Sequence, residues 1–340
     1  MEKIMKEAMF YVRKAGGHVR CGLCRFRCLI SDGARGICAV RENHGGTLYT
    51  LVYGKLCAEH LDPIEKKPLF HVMPGSKSYS IATVGCNFHC RHCQNYTISQ
   101  VSSNGAIQGA EQTPQEIVKK AINNGCRSIS YTYTEPTIFF EFAYDTARLA
   151  KAAGLSNIFV TNGYISKEAL ETIAPFMDAA NIDLKGFTEE FYRNIVHARL
   201  SEVLDSIIEY RKQGIWIEIT TLIIPGLNDS SSELQGIASF IACNLGVDTP
   251  WHVTQFYPTH QITDRPRTPV ETLRMAREIG NEAGLRFVYE GNIPGEGGEN
   301  TICPSCSALL IQRYGFQIES NRIISGACPD CGVSIAGIGM

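Results

Sequence analysis

The sequence predicts an α/β protein built on a partial (β/α)6-type barrel, with a small cysteine-rich module before it and a zinc-ribbon-like module after it. Between residues 78 and 290, apolar runs of strand length alternate with segments of helical periodicity. Repeated β-α units require parallel strands with helical crossovers, and six or seven units are too few for a closed eightfold barrel. Cysteine sets occupy both ends of the chain. The predicted domains are therefore residues 1–76, 77–298 and 299–340.

The elements of the barrel are predicted from apolar periodicity and from helix boundary signals. Thr113 precedes Pro114 and Glu116 as a helix start, and glycines such as Gly154 and Gly214 follow helical segments. The predicted strands are 78–84, 127–133, 157–161, 180–184, 215–224, 252–257 and 286–289. The predicted helices are 114–123, 138–153, 167–176, 201–213, 231–245 and 269–283.

Composition limits the classes of partner. The chain has 340 residues, 19% of them charged, and a formal net charge of −2. It therefore lacks the overall positive charge that favours nucleic-acid binding. The first residues lack the apolar segment of a signal peptide, and no stretch reaches the apolar length that a membrane span requires. We therefore expect a cytoplasmic protein without membrane or nucleic-acid partners.

Cysteine usage points to metal ligation. In a reducing cytosol disulfides do not persist, so fourteen cysteines favour metal sites. Four lie between 21 and 38, three between 86 and 93, and four between 303 and 331. The remaining Cys57, Cys126 and Cys243 are interpreted as small buried hydrophobic residues.

The central set is incomplete as a metal site. Cys86, Cys90 and Cys93 follow the first predicted barrel strand. A four-iron cluster held by three thiolates keeps one iron open to a small molecule. The alternative is a zinc knuckle that takes His89, His92 or a more distant side chain as its fourth ligand.

The Cys-x3-Cys-x2-Cys spacing at the end of an apolar run resembles the motif of S-adenosylmethionine (SAM) radical enzymes. The resemblance implies a [4Fe-4S] cluster whose open iron binds the methionine part of SAM. It further implies one-electron cleavage of the sulfonium, with a 5'-deoxyadenosyl radical that abstracts hydrogen from an unidentified substrate.

Motifs at later strand ends extend this resemblance. Tyr133-Thr134-Glu135-Pro136 stands where such enzymes often have Gly-Gly-Glu-Pro, so Glu135 is expected to accept the methionine ammonium. Glu135 could instead be a solvated residue at a helix N-terminus. The remaining predicted members of the SAM pocket are Asn95, Asn162, Asp183, Lys185 and His252. Taken singly, His252 could line the barrel, and Asp183 with Lys185 could form a structural ion pair.

The terminal cysteine sets each supply four thiolates. Cys303, Cys306, Cys328 and Cys331 form two Cys-x2-Cys knuckles, for which we favour structural zinc over a single iron or no metal. For the N-terminal set, zinc, a second iron-sulfur cluster and free thiols remain open; it comprises Cys21, Cys24, Cys28 and Cys38. The segment 62–71 is interpreted as a linker from this module to the barrel; its lysines are expected to be solvated, and docking of a partner is the less favoured alternative.

Five motifs are shared with one known family: the N-terminal four-cysteine element and the segments 62–68, 86–95, 131–137 and 292–295. Across essentially its whole length the chain resembles that family, the radical enzymes of the AmmeMemoRadiSam system, which are related to pyruvate formate-lyase activating enzymes. The resemblance implies a flavodoxin or ferredoxin electron donor and association with Memo-type and AMMECR-type proteins. A glycyl radical enzyme activase is the first alternative function, and a non-catalytic zinc scaffold is the second. The sequence names no separate catalytic acid or base.

Overall fold

The computed structural model describes residues 5–340, so the first four residues of the predicted N-terminal module lie outside the described residues. The N-terminal module contains short strands in two three-stranded antiparallel sheets, ordered β1-β6-β5 and β2-β3-β4. Its strands are β1 (Lys6–Glu7), β2 (Tyr11–Arg13), β3 (Val19–Cys21), β4 (Leu29–Ile30), β5 (Arg41–His44), β6 (Thr47–Thr50) and β7 (Lys55–Leu56). Apolar residues of these small sheets, such as Val19, Ile30 and Leu48, are buried in the core that the module shares with the barrel.

The central sheet has eight strands and two free edges. The next strands along the chain are β8 (Ala58–Pro63), β9 (Lys77–Ala82), β10 (Ala110–Glu111), β11 (Ser128–Tyr131), β12 (Ser156–Thr161), β13 (Ala179–Asp183), β14 (Trp216–Ile223), β15 (Trp251–Gln255) and β16 (Val288–Gly291). The spatial order is β16-β15-β14-β13-β12-β11-β9-β8, and β10 pairs with β7 instead. Strands β9 and β11 to β16 run parallel. The predicted partial barrel is confirmed.

Helices cross between the parallel strands, as the periodicity predicts. They are α1 (Tyr96–Ser99), α2 (Pro114–Asn123), α3 (Phe140–Ala152), α4 (Lys167–Ile173), α5 (Glu189–Phe191), α6 (Leu200–Lys212), α7 (Ser231–Asn244) and α8 (Val270–Glu282). Thr113 and Glu116 form a reciprocal capping box at the start of α2. No helix within residues 5–340 combines the length and the apolar character needed to cross a membrane.

Strand β8 was not predicted. It pairs antiparallel with β9, so residues 62 and 63 of the segment interpreted as a linker belong to the central sheet. The expectation of solvated lysines was wrong for Lys67, which is 1% exposed and bonds the Asp62 carboxylate at 2.6 Å. The lysine sits inside the barrel because this carboxylate compensates its charge. The predicted domain boundaries at 76 and 298 stay predictions.

The segment after β8 fills the lower part of the barrel, at the N-terminal ends of the parallel strands. Ile64, Leu69 and Val72 pack against Ile158 of β12 and Ala179 of β13. Residue 72 also bridges to Ile338 near the end of the chain. We call residues 64–73 the plug segment, because they close the floor of the barrel.

The C-terminal module is a three-stranded antiparallel sheet that docks on the plug segment. Its strands are β17 (Thr301–Ile302), β18 (Leu309–Tyr314) and β19 (Gln317–Asn321). Arg313 is 3% exposed, donates to the Phe70 carbonyl at 3.0 Å and lies over the Phe70 ring. This buried cation therefore fastens the module to the barrel floor.

His71 in the plug segment gives the fold a sensitivity to acid. Its ring lies between the Ala336 carbonyl and the Tyr289 hydroxyl, and burial lowers its pKa from 6.5 to about 4. Between pH 6.5 and 4, His71 is protonated in the unfolded chain and neutral in the folded protein, so lowering the pH stabilises the unfolded state. We therefore expect the free energy of unfolding to fall by about 3 kcal/mol between pH 6.5 and 4 through this group.

Anaerobic urea unfolding across this pH range measures the effect. His71→Phe is expected to flatten the pH dependence, whereas the exposed His60→Gln leaves it at the wild-type slope. Equal slopes in all three proteins would contradict the assignment.

Candidate functional site

The three-cysteine loop lies directly after β9, at the C-terminal edge of the parallel sheet. Gly85 has a φ of 102°, which turns the chain out of the strand where a side chain has no room. Cys90 is 7% exposed, and Cys86 and Cys93 are half-buried. The Phe88 amide donates to the Cys86 sulfur at 3.4 Å. The loop thus presents its thiols at the edge where parallel α/β sheets carry their sites.

The three thiols share one electrostatic environment. Burial raises the pKa of Cys86 well above its usual value, and the Glu135 carboxylate and the Cys90 thiolate raise it further. Burial also raises the pKa of Cys90 to about 12, although the Lys185 ammonium opposes this. Such thiols become thiolates when a metal centre supplies positive charge. The donor set of three thiolates fits a cluster with one open iron.

Glu135 is buried beside this loop without a cationic partner among the contacts of the described chain. Its Oε1 accepts from the Thr137 amide at 3.0 Å and from the Thr137 and Thr161 hydroxyls at 2.6 and 2.7 Å. Its Oε2 accepts only from the Asn162 amide at 2.8 Å. Burial raises the pKa of Glu135 despite these bonds. A carboxylate with four neutral donors and a free lone pair suits an incoming ammonium group.

Two of the predicted asparagines join the same region. Asn162 donates through Nδ2 to Asn87 Oδ1 at 2.7 Å and lies 3.8 Å from the Cys86 sulfur. Asn95 donates to the Tyr133 carbonyl at 2.7 Å. Tyr133 takes a φ of 64°, at the position where the resembling motif has its first glycine. The backbone turn that glycine favours is therefore formed here by tyrosine.

Asp183 and Lys185 form an ion pair at the end of β13, with Lys185 Nζ 2.9 Å from the Asp183 carboxylate. Although burial opposes its charge, Asp183 and the Cys90 thiolate raise the pKa of Lys185. The pair therefore lies close to the cysteine loop. Asn228 and Tyr192 bond the Lys185 backbone and hold this strand end in place.

His252 has a different set of neighbours from the other predicted pocket residues. It is 2% exposed, its Nε2 lies 2.7 Å from Glu218 Oε2, and its ring packs against Phe70 and Tyr289. Glu218 also accepts from the backbone amides of Phe70 and His71. These contacts place His252 against the plug segment. Its role in the SAM pocket stays a prediction.

Only one cysteine set is drawn into a compact four-ligand group. Within residues 5–340, the sulfurs of Cys303, Cys306, Cys328 and Cys331 alone lie within 4.8 Å of one another. This set could bind a metal ion. The loop at 86–93 is not gathered in this way, and His89 bonds Gln100 at 2.7 Å, so neither observation supports a zinc knuckle there. Of the cysteines outside the three sets, Cys126 is buried and Cys57 is half-buried, but Cys243 is exposed, against expectation.

A cavity of about 360 Å³ opens beside the cysteine loop. Its wall includes Gln94, Tyr257 and Asn292, which follow Cys93, β15 and β16, together with Phe316 of the C-terminal module. This volume is typical of a small-ligand site. The cavity therefore offers space for a small ligand next to the cysteine loop.

Sequence reasoning missed the cluster of Asp62, Lys67 and Tyr133. The Tyr133 hydroxyl donates to Asp62, and Lys67 Nζ lies 4.5 Å from the centre of the Tyr133 ring. Although burial opposes it, Lys67 holds the pKa of Asp62 below its usual range. Asn87 was also missed, although its place directly after Cys86 was the available signal.

Comparison with known proteins agrees with this geometry. The model of the radical SAM superfamily matches residues 80–241. The uncharacterized protein MJ0808 of Methanocaldococcus jannaschii is 48% identical over 97% of this chain and 99% of its own length. The pyruvate formate-lyase-activating enzyme of Clostridium pasteurianum is 23% identical over 46% of this chain and 66% of its own.

Among solved structures, a radical SAM methyltransferase from Sphaerobacter thermophilus has the same fold. The TM-score is 0.51 at 16% identity, and the match covers 64% of this chain and 67% of that one. The chain therefore contains a radical SAM domain over residues 80–241, belongs to one family with MJ0808, and is related to the pyruvate formate-lyase-activating enzymes.

Proposed function

We propose that this radical SAM enzyme reductively cleaves SAM at a [4Fe-4S] cluster held by Cys86, Cys90 and Cys93. The observation that carries the proposal is the buried Glu135 carboxylate, which lies beside three thiols and is bonded only by neutral donors. When bound, the cluster and SAM supply a 5'-deoxyadenosyl radical that abstracts hydrogen from a substrate. We further propose that the enzyme acts within the AmmeMemoRadiSam system.

Different residues of the site are proposed to bind the cluster, the methionine end of SAM and its nucleoside end. The three thiolates hold iron, and Glu135 orients the methionine ammonium. Asn95, Asn162 and the Asp183–Lys185 pair shape the nucleoside pocket, and His252 completes its lower wall. Because Glu135 and Asn162 are joined by a hydrogen bond of 2.8 Å, the ammonium and nucleoside ends are held by one rigid unit.

Anaerobic reconstitution tests this proposal. The protein should bind iron and sulfide and release 5'-deoxyadenosine when SAM and dithionite are added. Deuterium transfer from labelled cell extracts into 5'-deoxyadenosine would then trace the substrate. A protein that holds zinc without iron and releases no 5'-deoxyadenosine would instead be the scaffold.

A glycyl radical enzyme activase is the second candidate, and the relation to the pyruvate formate-lyase-activating enzyme favours it. The cavity of about 360 Å³ is open at the rim of the barrel, so an extended loop of a partner protein could enter it. Incubation with a candidate partner, followed by electron paramagnetic resonance, separates the two functions. A glycyl signal on the partner supports the activase.

The proposed partners follow from the chemistry and from the resemblance. A reduced flavodoxin or ferredoxin would supply one electron for each turnover. Memo-type and AMMECR-type proteins are proposed as associated proteins of the same system. Stimulation of SAM cleavage by each purified candidate measures these associations.

Structural zinc is proposed for the C-terminal cysteines. The distances of 3.6 Å between the Cys303 and Cys331 sulfurs and 3.7 Å between those of Cys306 and Cys328 fit a tetrahedral ion. With Zn–S bonds of about 2.3 Å, sulfurs in such a site lie roughly 3.8 Å apart. The match of distances supports zinc over a larger centre.

Glu135→Gln is expected to weaken SAM binding about tenfold or more while the cluster at the cysteine loop is retained. The amide removes the negative charge that pairs with the ammonium, and a tenfold loss corresponds to about 1.4 kcal/mol. Equilibrium binding of SAM to the reconstituted protein measures the change, and the absorbance of the cluster reports its retention.

The matched control is Glu171→Gln, because Glu171 is exposed on α4. It should bind SAM as the wild type does. Unchanged affinity in Glu135→Gln would remove Glu135 from the pocket.

A further inference from the structure

The four N-terminal cysteines surround an internal void. A cavity of about 20 Å³ is lined by the side chains of Cys21, Cys24, Cys28 and Cys38. Much of the remaining wall is apolar and includes Leu23 and Ile138. Apolar cavities are poor sites for water, because a buried water needs several polar partners. The void is therefore suited to a ligand that binds sulfur.

The spacing of the sulfurs separates a metal cluster from a single zinc ion. Zinc lies about 2.3 Å from each thiolate, so the sulfurs of a zinc site lie roughly 3.8 Å apart and leave no room for a water between them. The N-terminal thiols instead line a void of about 20 Å³, which is enough for a water. In the described part of the chain, only the C-terminal sulfurs are drawn within 4.8 Å of one another. The wider spacing of the four N-terminal sulfurs fits a four-iron cluster, whose iron atoms lie between its thiolate ligands.

A buried arginine donates a hydrogen bond to one of the four sulfurs. Arg41 is 1% exposed, pairs with Glu141 and donates through Nη1 to the Cys21 sulfur at 3.3 Å. Because four thiolates give a cluster net negative charge, this guanidinium favours its reduced state.

The residues around the four N-terminal cysteines contact the loop that carries Cys86, Cys90 and Cys93. Asn87, the residue after Cys86, lines the void. On the other side of Cys86, a Cβ placed on Gly85 would lie only 3.1 Å from the Cys38 carbonyl oxygen. The chain around Cys38 therefore packs directly on the chain around Cys86. Two centres held by these loops would be close enough to exchange electrons.

We propose that Cys21, Cys24, Cys28 and Cys38 hold a second [4Fe-4S] cluster that passes single electrons to the cluster at Cys86, Cys90 and Cys93. The relay role rests on the proposed function, whereas the metal assignment does not. In each transfer a reduced flavodoxin- or ferredoxin-type donor loses one electron, the second cluster gains it and then returns to its oxidised state by reducing the first. No bond forms or breaks, and no proton moves.

Metal counting in full-length protein tests the assignment. The triple variant Cys86→Ala, Cys90→Ala, Cys93→Ala has lost the radical SAM ligands and is reconstituted anaerobically with iron and sulfide. We expect about four iron atoms and about one zinc per chain, with the electron paramagnetic resonance of a reduced four-iron cluster. A triple variant with about two zinc ions and no iron would overturn the assignment, whatever the activity of the wild type.

The relay is tested by comparing electron donors. The double variant Cys24→Ala, Cys38→Ala is assayed with dithionite, a small reductant that can reduce the Cys86 cluster directly, and with reduced flavodoxin. We expect the ratio of the flavodoxin rate to the dithionite rate to be about tenfold or more lower in the variant than in the wild type. An equal ratio in the two proteins would overturn the relay, whatever the absolute rates.

Discussion

Cys90→Ala is expected to remove the radical SAM cluster and to abolish 5'-deoxyadenosine release. Cys90 is the most buried of the three loop thiols, and its sulfur faces the charge of Lys185. With two thiolates left, the site can no longer hold a four-iron cluster with a single open iron. Quantification of 5'-deoxyadenosine after addition of SAM and dithionite measures the loss.

The control for this experiment is Cys243→Ala, because Cys243 is exposed on α7 and belongs to none of the three cysteine sets. It should keep the cluster and the activity. Normal 5'-deoxyadenosine release by Cys90→Ala would remove the cysteine loop from the chemistry.

Cys328→Ala is expected to unfold the C-terminal module while the barrel stays folded. A structural zinc contributes on the order of 10 kcal/mol to the folding of a small module. This exceeds the roughly 2 kcal/mol that burial of each of Leu310 and Ile311 in β18 contributes. Loss of the metal would also withdraw Arg313 from the Phe70 carbonyl and expose the ring of Phe70. Hydrogen exchange and limited proteolysis of residues 299–340 should therefore become fast, with zinc content falling in parallel.

Ser305→Ala provides the comparison, because Ser305 lies between Cys303 and Cys306 and is exposed. Its module should stay protected and should retain zinc. A Cys328→Ala protein with an equally protected module would mean that packing, without the metal, maintains this sheet.

The strands and helices of the barrel could be predicted because their signals are local. β14, for example, is rich in β-branched and aromatic residues, and α2 carries its own capping box. Strand β8 could not be predicted in this way, because its only partner, β9, lies more than ten residues farther along the chain. Its sequence also mixes buried and exposed residues and ends in proline.

The candidate site was predictable where chemistry dictates residue type. Three thiols and Glu135 stand at successive strand ends, and parallel strands bring such ends together. The burial of Lys67 was not predictable, because it depends on the carboxylate of Asp62 in the folded chain. The metal of the N-terminal set was likewise open, because Cys spacing does not report the distance between sulfurs in space.

The plug segment makes the barrel interior a dead end rather than a channel. Leu69 and Val72 close the floor, and the chain terminus backs them through Ile338. Reactants therefore enter at the rim or through the open side between β16 and β8, and not through the floor. When two reactants share such an entrance, the deeper one has to enter first and leave last. The closed floor thus imposes an order on a ternary complex.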